Sequence, residues 1–536
     1  MRLFLVLVLI GSTAVAQDLR QPTPNSHALV NVRAVIEPGR VIDNATILIN
    51  DGTISAIGTN LTPSAGARIH EFEREPDQPP VTVYAGLIEP YLAIGTSENS
   101  ADDEDAITPA GRHPLIHPDR RISASQWPAD EIAALRAAGF TTALLAPEDG
   151  LIRGSGVIAN LGDGELNNNL LVPRFGQFMD FSARQSGRNF PNSLMGSVAL
   201  VRQTLDDARW QMEARAAWQR NRAQARPEWL AGLDALEPML SGDLATVFVA
   251  NDMPDSLRIL EFTQGRELDL TLIGHGHEYK RPAGLIERGV RHILPLNFPD
   301  APDVRDENDR NVSLEEMRHW HNAPGNAARL VEAGLPVLFS SHSLSTPKDQ
   351  FKALEAAIEA GLTQDQALAA LTTEPAEWLG IAEYAGRIAE GYMANLVVVE
   401  GDLLVESPNI TQVWIDGVQH VLAAVDPPTV DPAGSWDLTL VAGSMGDMAA
   451  EMTLSGPPTG MTGSLSVMGN DSPFSEVRVS GDEVIATLDA TRFGGSGSIT
   501  VRLTIEGDRA RGTGTGPFGE FDIRGQRSAT PDEEIL

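Results

Sequence analysis

The residues best suited to chemistry fall in one short run, Gly274-His275-Gly276-His277-Glu278, with a further imidazole at His342 inside Ser340-Ser341-His342-Ser343. Imidazole is the commonest metal ligand because one ring nitrogen keeps a lone pair while a hydrogen bond holds the other. His275 and His277 stand two residues apart, so in an extended chain both rings point the same way. If the fold brings His342 beside them, His275, His277 and His342 make a three-imidazole set with an open position, as a catalytic divalent ion (zinc or iron) requires. Glu278, or Glu89 upstream, would then act as general base toward a bound water. These side chains equally suit packing and hydrogen bonding in a pocket without an ion, and spacing alone does not choose.

Other polar clusters carry less. His113 and His117 are four residues apart, but Pro114 and Pro118 break the helix that would give them a common face. His319 and His321 flank Trp320 ahead of Pro324-Gly325-Asn326 and read as a packed loop in preference to a flap over a ligand. Asp102-Asp103-Glu104-Asp105 reads as a solvated loop. Gly150–Gly156, with Arg153, has glycines without the spacing or the lysine of a phosphate-binding loop. No Gly-x-Ser-x-Gly, His-Glu-x-x-His or dinucleotide fingerprint occurs.

The elements that must position these groups follow from patterning. The chain has 536 residues, 42% hydrophobic and 21% charged, enough for a large core and for roughly three domains or one large barrel with additions. Between Thr82 and Leu379, short apolar runs alternate with Ala- and Leu-rich helical stretches. Candidate strands are Thr82–Ile88, Thr141–Ala146, Val157–Leu161, Thr246–Ala250, Leu270–Ile273, His292–Leu296 and Pro336–Phe339. Such alternation predicts parallel βα units, and their number predicts an α/β fold with a (β/α)8 TIM-like barrel over 81–385. Glu165–Gly242 is polar and Arg-rich, and its pattern places no strand. Flanking segments 27–80 and 386–424 are β-rich, with a hairpin signal at Asn50-Asp51-Gly52, and together predict a composite β-sandwich. A Pro-rich linker, 425–434, leads to alternating strands over 435–527 that predict a C-terminal all-β domain.

Composition narrows the partners. Asp and Glu number 73 against 40 Lys and Arg, a formal charge of −33, which disfavours nucleic acid and anionic membrane surfaces and leaves a small-molecule substrate or ligand. The sequence has no Cys, so disulfides, a lipidated cysteine and thiolate ligands are excluded. Met1-Arg2, the apolar run Leu3–Ile10 and Ala14-Val15-Ala16 form a signal peptide over 1–16 with cleavage before Gln17, which predicts an exported, periplasmic or secreted, protein with no membrane span after cleavage.

Particular stretches sharpen the architecture. Asp51-Gly52-Thr53-Ile54-Ser55-Ala56-Ile57-Gly58, then Ala85-Gly86-Leu87-Ile88-Glu89, then Ala360-Gly361-Leu362-Thr363, Thr372, Pro375-Ala376, Leu379-Gly380, Gly386, Gly391 and Ala394-Asn395-Leu396-Val397 together resemble the amidohydrolase superfamily, in its imidazolonepropionase-like exported branch, over most of 27–422. The resemblance implies a metal-dependent hydrolase of carbon–nitrogen bonds other than peptide bonds, with one or two divalent ions at the C-terminal mouth of the barrel. Carried over residue by residue, the His-x-His of the first strand falls on Tyr91 and Ala93. The fifth-strand His falls near Ala250-Asn251, the sixth-strand His on His275 and the eighth-strand Asp on His342. Tyr91 and Asn251 are therefore expected at the mouth without being ligands. The ligand set is reduced or rearranged, which leaves a hydrolase with an altered site or a non-catalytic relative that binds a ligand or partner.

Overall fold

In a computed structural model of the chain, the described residues are 26–72, 79–95, 113–182, 190–302, 312–422, 428–442, 446–457, 461–467, 469–493, 498–516 and 519–529. The expected signal peptide and the acidic run Asp102–Asp105 lie outside them. The chain divides into two compact units, 1–422 and 423–536. No helix among the described residues is long and apolar enough to cross a membrane.

In the first unit, strands β1 (Ser26–Glu37), β2 (Arg40–Asn50), β3 (Thr53–Thr59), β4 (Arg68–Glu71) and β5 (Val81–Ala85) come first. Eight more follow: β6 (Leu87–Ile94), β7 (Phe140–Pro147), β8 (Ile152–Asn160), β9 (Leu170–Asp180), β10 (Thr246–Val249), β11 (Leu270–Ile273), β12 (Arg291–Pro295) and β13 (Val337–Ser340). Then come β14 (Leu396–Glu400), β15 (Asn409–Ile415) and β16 (Val418–Val421). The flanking segments combine into one hydrogen-bonded mixed sheet of order β16-β15-β14-β5-β1-β2-β3, with β4 beside β1, and it folds on itself, since Trp414 of β15 packs edge-on against His27 of β1 and His70 of β4 at 5.0 Å between ring centroids. Leu29, Ile47, Val83, Leu396 and Trp414 share its core. The predicted β2–β3 turn is present, with Asp51 and Gly52 both at positive φ as such hairpins require.

The run expected as one strand, Thr82–Ile88, is two strands in two sheets. They part at Gly86, where a Cβ would lie 2.1 Å from Thr141 Oγ1, so only glycine lets the chain cross between the sheets there.

Strands β6 to β13 form the second sheet in sequence order. Each gives at least one side chain to a single cluster, among them Ile88, Leu144, Ile158, Phe178, Val247, Ile273, Ile293 and Leu338. One face of every strand therefore fills a common interior, while the alternate residues, Leu145, Phe248, Leu272, Leu294 and Phe339 among them, pack in a second core with the helices. The barrel is not a pure (β/α)8 repeat. β8 runs antiparallel to both β7 and β9, because the β7–β8 connection is a short loop with no crossover helix. β9 falls in the segment whose pattern placed no strand, and behind it Leu194–Arg220 is one long helix capped by Ser193. That helix buries Val201, Leu205 and Ala208 at helical spacing.

The second unit is a closed antiparallel barrel of β17 (Gly434–Ala442), β18 (Gly446–Ser455), β19 (Thr462–Val467), β20 (Asn470–Ser480), β21 (Glu483–Asp489), β22 (Ser498–Glu506), β23 (Arg509–Gly516) and β24 (Gly519–Ala529). Trp436 is buried in its core, and its indole N–H donates to Pro432 O at 2.9 Å.

Candidate active site

Parallel barrel strands end at one mouth, and there the interior changes from apolar to polar. Tyr91, near the end of β6, is 2% exposed and stacks on Phe178 at 6.2 Å between ring centroids. Because β8 is antiparallel, its first residues reach the same mouth, and Arg153 enters the barrel there. Its Nη2 donates to Asp180 Oδ2 at 2.5 Å, its Nη1 to the Tyr91 hydroxyl at 3.4 Å and its Nε to Gly150 O at 3.4 Å. Asp180, the last residue of β9, also accepts from Ser182 N–H and Ser182 Oγ, both at 2.6 Å, and from Asn251 Nδ2 at 3.4 Å. Tyr91 and Asn251, both expected at the mouth, are thus joined through a buried Arg153–Asp180 ion pair. Burial pushes the Tyr91 phenol up, with Arg153 opposing.

Glu89 closes the seam between the first and last barrel strands. It is fully buried, and its Oε1 accepts from Ser340 Oγ at 2.6 Å and Tyr91 N–H at 3.0 Å. Its Oε2 accepts from Ser341 Oγ at 2.7 Å and Ser341 N–H at 2.9 Å. Burial raises its carboxyl, and these four neutral donors hold it back only in part. His342 packs edge-on against Tyr91, 5.0 Å between centroids, and burial lowers its imidazole.

The Gly-His-Gly-His-Glu run folds differently from the extended geometry expected. β11 ends at Ile273, and Gly276, at φ 81°, turns the chain; the His275 and His277 rings still lie 5.5 Å apart and 32° from parallel, but the turn sets the His277 N–H and Nδ1 against His275 Nδ1 and O. His275 has both nitrogens engaged. Nδ1 accepts from His277 N–H at 3.2 Å, which leaves the proton on Nε2, 3.2 Å from Ser256 Oγ. Glu278 turns into the layer beside Leu294 and the helix Asn326–Glu332. Its Oε1 accepts from His275 N–H at 2.8 Å and its Oε2 from Asn326 Nδ2 at 2.7 Å. Gly274 makes room for this, since a Cβ there would meet Glu278 Oε1 at 2.4 Å. Burial pushes the Glu278 carboxyl up, but the His275 and His292 imidazoles and the His275 N–H outweigh it, and the carboxyl sits below the usual range. The same burial lowers both imidazoles. A buried carboxylate held low and engaged on both oxygens is a poor general base, so Glu278 reads as the anchor of this loop.

His277 stacks face to face on His319, 3.7 Å between centroids and 12° from parallel, and Tyr279 OH lies 3.2 Å from His319 Nδ1. Burial and neighbouring cationic groups lower His319 to about 4. The helix Leu314–Asn322 thus carries the residues expected in a loop, and it brings His319, not His342, to His277.

The divalent ion implied by the resemblance can be tested against these donors. Among the described residues, no group of three His, Cys, Asp or Glu side chains is arranged to hold a metal ion. At the mouth, Asp180 faces a guanidinium, Glu89 is filled by four donors, and the only ring lone pair of neutral His275 is taken by an N–H. The residues present do not fit the ion as a set. Arg153 and Asp180 gave little signal in sequence. Arg153 lay in a glycine-rich run read against a phosphate loop, and Asp180 could have been found only as an acidic residue closing the apolar run Phe178-Met179.

Residues 325–420, from the helix before β13 to β16, match the sequence model of the Amidohydrolase family. Over 169 residues the chain is 36% identical to Amidohydrolase tasK of Hapsidospora irregularis, a stretch that is 30% of this chain and 16% of that protein. The chain therefore matches only a small part of that relative's length. An amidohydrolase from Thermotoga maritima shares the fold with a TM-score of 0.58 at 18% identity, over 73% of this chain and 98% of that one. A. niger ochratoxinase is a looser likeness, with a TM-score of 0.43 at 12% identity over 75% of this chain and 96% of that one. The family match covers residues 325–420, and the structural likeness shows a shared fold.

Proposed function

We propose that this chain is a hydrolase of amidohydrolase type that opens a carbon–nitrogen bond other than a peptide bond in a small-molecule substrate, and that it acts after export through the leader 1–16. One observation carries this: the network of buried Glu89, Tyr91, Arg153 and Asp180, reaching exposed Asn251, at the C-terminal mouth of a barrel whose middle layer is apolar. Barrel enzymes keep their catalytic groups at that end, and perturbed titratable groups gather at functional sites. In this mechanism an N–H of Arg153 beyond those given to Gly150, Tyr91 and Asp180 polarises the substrate carbonyl. Glu89, its carboxyl raised by burial, takes a proton from the attacking water once a serine hydroxyl, of Ser340 or Ser341, rotates off its oxygen, and returns that proton to the leaving nitrogen, so amide and water give acid and amine. No step runs through an ion, because the donors do not fit one. A panel of amides and lactams, assayed with wild type and with Glu89→Gln, tests this. Turnover lost in the variant is expected, and a variant as fast as wild type removes Glu89 from the mechanism.

A second function, ligand binding without turnover, is favoured by the saturation of the same groups: both oxygens of Glu89 and of Asp180 are already occupied. Compounds from that panel that bind in calorimetry and stay intact for days would establish it over hydrolysis.

A further inference from the structure

We infer that the barrel mouth carries its positive charge as the Arg153 guanidinium, in the place where the amidohydrolase plan puts a divalent ion. This holds whether or not the chain hydrolyses anything.

Three observations converge. The first is topological. Arg153 is the second residue of β8, and only the antiparallel direction of that strand brings an early strand residue to the mouth. The second is the set of elements it ties together. The guanidinium bonds the loop before β8 through Gly150 O, β6 through the Tyr91 hydroxyl and β9 through Asp180. Asp180 in turn reaches Asn251, just beyond β10. Cross-linking the ends of neighbouring strands through a carboxylate is what a bound ion does for a barrel mouth, and here a side chain does it. The third is the state of the potential ligands. Asp180 is shared among Arg153, Ser182 and Asn251, Glu89 has four donors, Glu278 is turned toward Asn326, and His275 has no lone pair left. An ion entering there would have to displace bonds at each of them. Tyr91, the position on which the resemblance puts the first imidazole of the first strand, fits the same picture, since its hydroxyl accepts from this guanidinium.

The ion pair is among the most buried of those between the described residues, with side-chain exposures of 8% for Arg153 and 2% for Asp180. Removing one partner leaves the other charge without compensation in a low-dielectric site, whereas removing both leaves a neutral pocket.

The experiment uses the purified mature chain. Metal content is measured by elemental mass spectrometry after incubation with zinc, manganese or iron and dialysis, and thermal unfolding is followed with and without EDTA. No retained ion and an unchanged melting temperature in EDTA are expected. Arg153→Met should lower the melting temperature sharply, and Arg153→Met/Asp180→Asn should recover most of the loss. Near-stoichiometric metal in the wild type, lost in Asp180→Asn, would overturn the inference. So would an Arg153→Met variant as stable as wild type. If Arg153→Met does not fold, the double variant and the chelator measurement still decide, because a mouth held by an ion would lose stability in EDTA and gain nothing from the second substitution.

Discussion

Replacing Glu89 by Gln is the sharpest test of how the barrel seam is held. The carboxylate accepts two bonds on each oxygen, one from a backbone N–H and one from a serine hydroxyl in each case. A glutamine amide can place its oxygen toward only one of these pairs. Its NH2 then faces a hydroxyl, which can rotate to accept, and a backbone N–H, which cannot. One buried N–H is left unpaired, at about 1–3 kcal/mol. The two bonds kept by the amide oxygen also weaken, from about 1.5–3 kcal/mol each toward a charged acceptor to about 0.5–1.5 toward a neutral one. Relief of the burial that raises the Glu89 carboxyl offsets part of this. A net loss of about 2 kcal/mol is expected, well within the ~5–15 kcal/mol that keeps a domain folded.

The loss must also depend on pH in one direction. The folded value lies above the unfolded one, so the folded chain binds this proton more tightly. The contribution of Glu89 is then fully present below the unfolded value of about 4.3 and is lost as pH rises through the folded value. Glutamine has no proton to lose, so the penalty is larger at a pH below the unfolded value of about 4.3 than at a pH above the folded value of Glu89. Urea unfolding followed by tryptophan fluorescence reads this, since of the eight tryptophans only Trp436 lies in the second unit. A penalty that grows with pH, or none at either pH, would refute the seam geometry.

Other substitutions probe neighbouring layers. Phe178→Ala removes the β9 member of the interior cluster and the stacking partner of Tyr91, and should cost about 3–5 kcal/mol in denaturant unfolding. Asn326→Ala takes one donor from Glu278 and also the acceptor that Tyr279 N–H reaches at 2.8 Å. It should cost about 1–3 kcal/mol and speed amide exchange at residues 275–280, with unchanged exchange ruling out the anchoring role of Glu278. His319, lowered to about 4, should stay neutral through neutral pH in an NMR titration. Because its folded value lies below the unfolded one, it should make stability fall as pH drops from about 6.5 toward 4, and His319→Gln should flatten that slope.

Composition and local pattern settled much of this protein before any tertiary contact is considered. The Asp51-Gly52 turn was legible because only a few residues tolerate positive φ there. Barrel strands such as Leu270–Ile273 were legible as apolar runs between helical stretches, as were the short alternating strands of the C-terminal unit. The resemblance in the closing segment pointed to the family that its match supports. Those features depend on residues near each other in sequence.

What tertiary structure alone decided lies in how distant segments meet. A strand's direction is set by how its connection crosses the sheet, so nothing in Ile152–Asn160 announces that β8 runs backwards and delivers Arg153 to the mouth. A buried charge finds its partner through space: Asp180 is 27 residues from Arg153, and Ser340 is 251 from Glu89. The histidines show the same division. Their identity made them candidates, but the turn at Gly276 set His277 against the polar atoms of His275 and the helix Leu314–Asn322 set His319 on the His277 ring, because a side chain's partners are decided by its backbone and its packing, not by spacing along an extended chain.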